Sequence, residues 1–167
     1  MKAWMKLLAV AVVVVAVEGP AAQTHIVKPL SSNGATTLDA SSATLKVSVA
    51  VKARDFKTSD IMGDRVDPGQ YPDTLRIIQN IEITVNGSRI HVPHSAYADL
   101  LNARQAEISV GGKSPTLILR GGDGSESFVA RIEFDKTTVK RRAVFNALQT
   151  GEAVEETTYN RRVLRDD

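Results

Sequence analysis

The sequence contains no cysteine. This absence excludes disulfide bonds, thiolate nucleophiles, iron–sulfur clusters and cysteine-ligated zinc, and it removes the residue that anchors a bacterial lipoprotein. Aromatic residues are also scarce, with one Trp, three Tyr and four Phe among 167 residues. Stacking surfaces for sugars or single-stranded nucleic acids require several rings, so we expect neither ligand class.

Neither sign of charge dominates the chain. Lys and Arg number 21 and Asp and Glu number 19, which gives a formal net charge of +2. Because nucleic-acid binding requires a clustered excess of positive charge, this balance predicts no nucleic-acid partner. The hydrophobic fraction of 43% and the charged fraction of 24% are typical of one ordinary globular domain.

The first 22 residues have the pattern of a secretory signal peptide. Two lysines stand near the start, residues 7–17 form an apolar run, and small residues at Gly19 and Ala21 suit a signal peptidase. The run is too short to span a membrane. We therefore expect an exported protein, periplasmic or secreted, that has no membrane span after cleavage. An uncleaved N-terminal anchor is the alternative.

The pattern changes near residue 44. Residues 23–43 are rich in Ser, Thr, Ala and Asn and poor in large apolar side chains, which predicts a flexible segment. From there on, apolar and polar residues alternate with the period of a half-buried strand, with Leu45, Val47, Val49 and Val51 on one face. We therefore predict a single β domain over residues 44–167.

A hairpin around Asn86 and Gly87 is the strongest local signal. Asn-Gly is favoured in two-residue type I′ turns, and apolar residues alternate on both sides of it. The register that this turn sets pairs Val85 with Ser88, Thr84 with Arg89, Ile83 with Ile90 and Glu82 with His91.

Similar patterns predict most of the remaining chain as short strands. They are a second hairpin at 107–110 and 116–120, and strands at 127–135, 139–148 and 155–163. A short helical turn is expected over residues 96–101, with Ser95 as its N-cap and Tyr97, Leu100 and Leu101 facing inward. The fold class that agrees with this pattern is all-β: an antiparallel sandwich or small barrel of about eight strands with one helical turn.

The glycine-rich segment 121–127 is the preferred candidate for a binding loop. Its glycines permit positive φ angles, and its polar side chains Asp123, Ser125 and Glu126 are placed to face outward. A plain connection between strands is the alternative. Arg131 begins a basic stretch that continues to Arg142, with Lys140 and Arg142 on one face of a predicted strand. The stretch predicts a solvated face or a protected edge strand, and a docking surface for an acidic envelope polymer is the functional alternative.

Two weaker candidates concern chemistry. Glu82 and His91, if paired across the hairpin, would make an oriented general base, although an exposed salt bridge is the simpler interpretation. The aspartate-rich loop from Asp55 to Asp73 has oxygen ligands for calcium, although aspartates are also common in turns. No catalytic residue, other metal site or cofactor is predicted.

Three functional hypotheses follow. The first is an exported, cofactor-free binding or accessory protein of the bacterial cell envelope, for example an inhibitor that presents residues 121–127 to a cell-wall hydrolase. Its partner would be an envelope protein or polymer. The second is a hydrolase that uses carboxylates or His91 with Glu82. The third is a structural or assembly protein that pairs through exposed strands, with residues 23–43 as the donor segment.

Overall fold

The computed structural model describes residues 23–59 and 73–160. The predicted signal segment and the middle of the aspartate-rich loop lie outside these ranges. The described residues form ten strands: β1 Thr24–Pro29, β2 Asn33–Ser41, β3 Lys46–Lys57, β4 Thr74–Val85, β5 Ser88–Arg89, β6 Ala103–Val110, β7 Thr116–Gly121, β8 Phe128–Phe134, β9 Val139–Asn146 and β10 Glu155–Thr158.

The strands form two antiparallel sheets that pack into a sandwich-like fold. One sheet has the order β1-β6-β7-β8-β9-β10, and the other has the order β2-β3-β4-β5. Their inner faces share one core of large buried side chains, including Leu38, Val49, Ile83, Ile108, Leu119 and Ile132. Burial of each such side chain stabilises the folded state by about 1.5–3 kcal/mol through the hydrophobic effect. The predicted all-β class is confirmed.

Residues 23–43 are not a flexible segment, so that prediction is wrong. β1 pairs with β6 over six positions, and β2 pairs with β3 over nine. The prediction relied on the average composition of this segment and overlooked that alternate residues face the core, as Leu38 and Ala40 do. Threonine favours strands, and small alanines fit where two sheets approach closely, so few large apolar residues suffice here.

The predicted Asn86-Gly87 hairpin is confirmed in its turn and inner register. Val85 pairs with Ser88 and Thr84 with Arg89, and both turn residues have positive φ. The predicted pairing of Glu82 with His91 is wrong. His91 leaves the hairpin and forms a parallel bridge with Thr138, because its backbone amide and carbonyl bond to the chain around β9.

A crossing segment, residues 91–102, carries the chain from one sheet to the other. It contains a 3-10 turn at His94–Ala96. Pro93 is at the N-cap position of this turn, and no side chain caps it. Ser95 therefore lies inside the turn, and its predicted role as the N-cap is wrong. The 3-10 turn also lies earlier in the chain than the predicted range 96–101. Tyr97 and Leu100 are buried as predicted, whereas Leu101 is only half-buried. The segment closes one side of the core.

The other predicted strands are confirmed with changes of boundary. The strand predicted over 155–163 is formed over Glu155–Thr158, and residues 161–163 lie outside the described ranges. β6 and β7 form the second hairpin, and β8 and β9 continue the same sheet. The connections lie at two opposite ends of the sandwich. We call the end with the β2–β3, β4–β5, β6–β7 and β8–β9 connections the turn end, and the opposite end the cleft end. Within the described ranges no helix has the length and apolarity needed to cross a membrane.

Candidate functional site

The cleft end carries a cavity of about 520 Å³ between the crossing segment and residues 121–127. We call it the loop cleft. Its apolar wall is formed by Leu75, Leu101 and Phe128, and its carboxylates are Asp99, Asp123 and Glu126. Ser125, Asn102 and the glycines Gly122 and Gly124 complete the lining. The three candidates on the predicted binding loop therefore lie together.

A second cavity, of about 390 Å³, adjoins the loop cleft and shares Asn102 and Asp123 with it. We call it the arginine cleft, since Arg76 and Arg104 line it. Its positive charges are matched by carboxylates, so this cavity has little excess charge of its own.

Glycines shape the loop because other residues do not fit. A Cβ atom at Gly121 would collide with the backbone of Asn102, and one at Gly122 would collide with the carbonyl of Glu126. Gly122 also has a φ of +75°, which side chains rarely adopt. The loop then closes in a 3-10 turn at Gly124–Glu126, where the Ser127 hydroxyl donates to the Gly124 carbonyl at 2.7 Å.

Asn102 joins the two cavities. It adopts a φ of +56°, which asparagine tolerates better than most residues. Its side-chain oxygen accepts a hydrogen bond from the backbone amide of Arg76 at 2.9 Å, and its backbone amide donates to the Arg76 carbonyl at 2.8 Å. The crossing segment is thereby fixed to β4 at the floor of the clefts.

Two ion pairs flank this floor. The Arg76 guanidinium donates two hydrogen bonds to Asp55, at 2.7 and 3.1 Å, and these bonds lower the pKa of the Asp55 carboxyl despite its partial burial. Arg104 pairs with Asp123, and both side chains are more than half exposed. The carboxylate of Glu126 is exposed and makes no hydrogen bond or ion pair with any residue in the described ranges.

Sequence reasoning missed Arg142. We expected it to share a solvated face with Lys140, but it is only 2% exposed. It bonds Asp99 at 2.6 Å and also bonds Glu155, while its Nε is buried without a partner. A signal for this burial was available in the sequence: Arg142 stands two residues before the core residue Val144, so the two side chains lie on the same face of β9. Arg142 thus fixes Asp99, one of the carboxylates of the loop cleft.

The other three candidate residues lie elsewhere. Arg131 is on the outer face of the six-stranded sheet, with its guanidinium carbon 4.8 Å from the centre of the Phe145 ring. Glu82, on the outer face of the other sheet, accepts hydrogen bonds from Asn80 and Arg89. His91 is exposed beside its bridge to Thr138. The structure does not bring Glu82 and His91 together as a pair.

The calcium hypothesis falls mostly outside the described ranges, which include Asp55 and Asp73 of that loop. Asp55 is occupied by Arg76. In residues 23–59 and 73–160, no group of three or more His, Asp or Glu side chains is arranged to hold a metal ion.

The loop cleft is suited to recognition. It combines an apolar wall with carboxylates at its rim, and its lining contains no histidine to activate Ser125 as a nucleophile. Comparison with known proteins found no family model, no curated protein and no solved structure that matches this chain.

Proposed function

We propose that the chain is an exported binding protein of the bacterial cell envelope, which contacts its partner through the loop cleft and residues 121–127. The observation that carries this proposal is the state of Glu126. Its carboxylate is exposed on a short 3-10 turn and has no partner in the described part of the chain. A charged group left free in this way is available for a charge-assisted bond to another molecule.

The turn that carries Glu126 is held from several sides. The Asn146 amide donates to the Ser125 carbonyl at 2.9 Å, and Arg104 bonds Asp123. These bonds favour the observed conformation of the turn. A loop that is already ordered loses less entropy when it binds, which supports recognition by a preformed surface.

The alternative of a hydrolase that uses His91 with Glu82 gains no support from these contacts. Glu82 is bonded to Arg89, and the backbone of His91 is drawn toward β9. A general base needs an orienting partner within hydrogen-bond reach, and the expected pair is not formed.

The proposed partner is an envelope protein, specifically a cell-wall hydrolase whose active-site cleft receives residues 121–127. Hydrolase clefts are concave, and residues 123–126 are exposed at the cleft end on a short turn. Inhibition would follow from steric block of the cleft, with Glu126 and Asp123 as the charged contacts.

The direct test is inhibition of lysozymes acting on purified cell walls, followed by the decrease in turbidity. We expect inhibition by the chain and a Kd about tenfold higher for Glu126→Gln, since removing one member of a charged contact costs at least about 1.4 kcal/mol. Asp39→Asn is the matched control, because Asp39 is an exposed carboxylate near the turn end. A chain that inhibits no lysozyme would remove the hydrolase partner.

A pull-down of envelope proteins and wall polymers, with and without calcium, tests the broader proposal. Capture by the chain that Glu126→Gln weakens and Asp39→Asn does not would support binding through the loop cleft. Equal capture by both variants would contradict it.

A further inference from the structure

A smaller cavity lies at the turn end, between the two sheets. Its floor is formed by Val85 of the four-stranded sheet and Phe134 of the six-stranded sheet, which are both buried, and Leu45 and Pro115 add to its apolar wall. We call it the turn-end cavity. Its volume is about 210 Å³. Drug-sized ligands occupy pockets of about 300–1,000 Å³, so this cavity has room for one apolar group and not for a long acyl chain.

Two lysines line the same cavity. Lys113 lies in the β6–β7 connection and Lys136 in the β8–β9 connection, and both residues are exposed. Neither ammonium makes a hydrogen bond or ion pair with a residue in ranges 23–59 and 73–160. Because two like charges beside one cavity repel each other, an anion bound there lowers that repulsion.

The cavity also has a carboxylate, that of Asp135, which is already bonded within the chain. It accepts hydrogen bonds from the Thr137 hydroxyl and from the amides of Thr137 and Thr138, and it pairs with the Lys140 ammonium at 3.0 Å. Lys140 balances the charge of Asp135. The charges of Lys113 and Lys136 therefore remain as a positive excess at this cavity.

The β6–β7 connection offers further hydrogen-bond donors beside these lysines. The backbone amides of Gly112, Lys113 and Ser114 make no hydrogen bond within the described part of the chain. Gly111, with a φ of +96°, turns the chain just before them. Successive free amides in a turn of this kind favour binding of a carboxylate or phosphate oxygen.

We propose that the turn-end cavity binds the carboxyl terminus of a peptide whose last residue is apolar. The terminal carboxylate pairs with Lys113 and Lys136 and accepts hydrogen bonds from the amides of residues 112–114, while the last side chain enters the cavity beside Leu45 and Pro115. This site lies at the opposite end from the loop cleft and does not depend on the function proposed there.

The choice of a carboxyl terminus follows from the two halves of the cavity. In a polypeptide only the last residue carries a carboxylate and an apolar side chain on the same carbon atom. Asp and Glu side chains present a carboxylate without an apolar group beside it, and the small volume excludes the chain of a lipid. A terminal leucine, valine or phenylalanine supplies both groups at once.

Fluorescence anisotropy with short peptides tests the proposal directly. The probe is a Gly/Ser peptide with a fluorophore at its amino end and leucine as its last residue, titrated with the full chain. One matched probe has an amidated carboxyl end, and the other ends in glycine. We expect the Kd to be at least about tenfold higher for each matched probe, because the first lacks the charged carboxylate and the second lacks the buried apolar group.

Substitution of the two lysines tests the same contacts from the side of the protein. Lys113→Gln/Lys136→Gln should raise the Kd of the leucine-terminated probe at least about tenfold and remove the preference for a free carboxylate. The matched control is Lys52→Gln/Lys57→Gln, which changes the net charge equally at exposed positions of β3 that do not line the cavity. This control should bind the probe as the natural chain does.

The two proposals fail separately. Glu126→Gln at the cleft end should leave peptide binding unchanged, and Lys113→Gln/Lys136→Gln should leave lysozyme inhibition unchanged. A loss of peptide binding in Glu126→Gln would place the peptide in the loop cleft and overturn the proposal for the turn-end cavity.

Four other outcomes would overturn it as well. Equal affinity for free and amidated probes would exclude recognition of the carboxylate, and equal weakening by the Lys52/Lys57 control would assign binding to net charge. Displacement of the probe by inorganic phosphate as readily as by N-acetyl-leucine would show a general anion site. The last is absence of binding by probes ending in leucine, valine or phenylalanine at up to about 1 mM protein.

Discussion

Each end of the sandwich contains an asparagine with positive φ that bonds the backbone of a strand, but the two asparagines lie in different surroundings. At the turn end, Asn86 has a φ of +51° and exchanges two hydrogen bonds with the backbone of Lys46. At the cleft end, Asn102 has a φ of +56° and exchanges two hydrogen bonds with the backbone of Arg76. The first lies in a two-residue turn at the surface, and the second lies at the floor of two cavities.

This difference shows what makes a connection a candidate site. Both asparagines bond strands that are distant in the sequence, 40 residues away for Asn86 and 26 for Asn102. Asn86 is exposed, whereas Asn102 is partly buried and also accepts a hydrogen bond from the Gly122 amide through its carbonyl. The connection at Asn102 therefore joins β4 to the loop that carries Asp123, Ser125 and Glu126, and this junction places three carboxylates around one cavity.

The largest expected effect comes from comparing Gly122→Ala with Gly87→Ala. Both glycines have positive φ, but a Cβ at Gly122 meets the Glu126 carbonyl, whereas the space around Gly87 is open. We expect the free energy of unfolding to fall by about 3 kcal/mol for Gly122→Ala and about 1 kcal/mol for Gly87→Ala. Urea unfolding midpoints measure both losses. Equal losses would show that backbone conformation alone matters at both ends.

Substitution of the two asparagines should also lower the free energy of unfolding more at the cleft end than at the turn end, but with a smaller difference. Asn102→Ala removes a partly buried hydrogen bond and costs about 2 kcal/mol, whereas Asn86→Ala removes an exposed one and costs about 1 kcal/mol. Asn102→Gly keeps the backbone conformation and should recover part of the loss. Thermal unfolding checks the order, and an Asn86→Ala variant that loses more than Asn102→Ala would reverse the comparison.

Low pH should lower the free energy of unfolding through a carboxyl group at each end, and the group at the turn end should contribute more. Burial opposes ionisation of Asp135, but the Thr137 hydroxyl and the amides of Thr137 and Thr138 bond its carboxylate and hold its pKa far below the ordinary value. Arg76 lowers the pKa of Asp55 at the cleft end. A lowered folded-state pKa gives stability that is present above the unfolded pKa, near about 4, and is lost as pH falls.

Unfolding free energies measured from about pH 6 down to about pH 2 test this pH dependence. Asp135→Asn should flatten the acid slope more than Asp55→Asn does. An acid slope in Asp135→Asn that equals that of the natural chain would show that this carboxyl is not bound more tightly in the folded state.

The smallest expected effect is that of Glu126→Gln on stability. The Glu126 carboxylate has no partner in the described ranges, so its substitution should change the free energy of unfolding by no more than about 0.5 kcal/mol, as should Asp39→Asn at the turn end. Chemical denaturation checks this. A loss above about 1 kcal/mol would mean that Glu126 stabilises the fold, and any binding defect of the variant would then have to be reassessed.

Sequence reasoning found what is encoded locally. Asn86-Gly87 specifies its turn through the positive φ that both residues accept, and the alternation from Leu45 to Val51 specifies β3. It failed where partners are distant. Glu82 and His91 were expected to pair as neighbours, but a third strand, β9, takes the backbone groups of His91. No pattern within the hairpin carries that information.

The same division applies to the candidate site. Asp123, Ser125 and Glu126 were found because glycine-rich polar loops are recognisable in a sequence. The ion pair of Arg104 with Asp123 and the burial of Arg142 depend on how the sheets and the crossing segment meet. Such contacts become visible only with the fold.

The pairing of β1 with β6 also determines when the first strand can fold. His25 and Glu107 are 82 residues apart in the chain, so most of the polypeptide must be available before β1 has its place in the sheet. β2 and β3, in contrast, are joined by a short turn and can pair early. A chain that emerges amino end first therefore carries β1 unpaired until residues 103–110 arrive, so this sheet is completed late in folding.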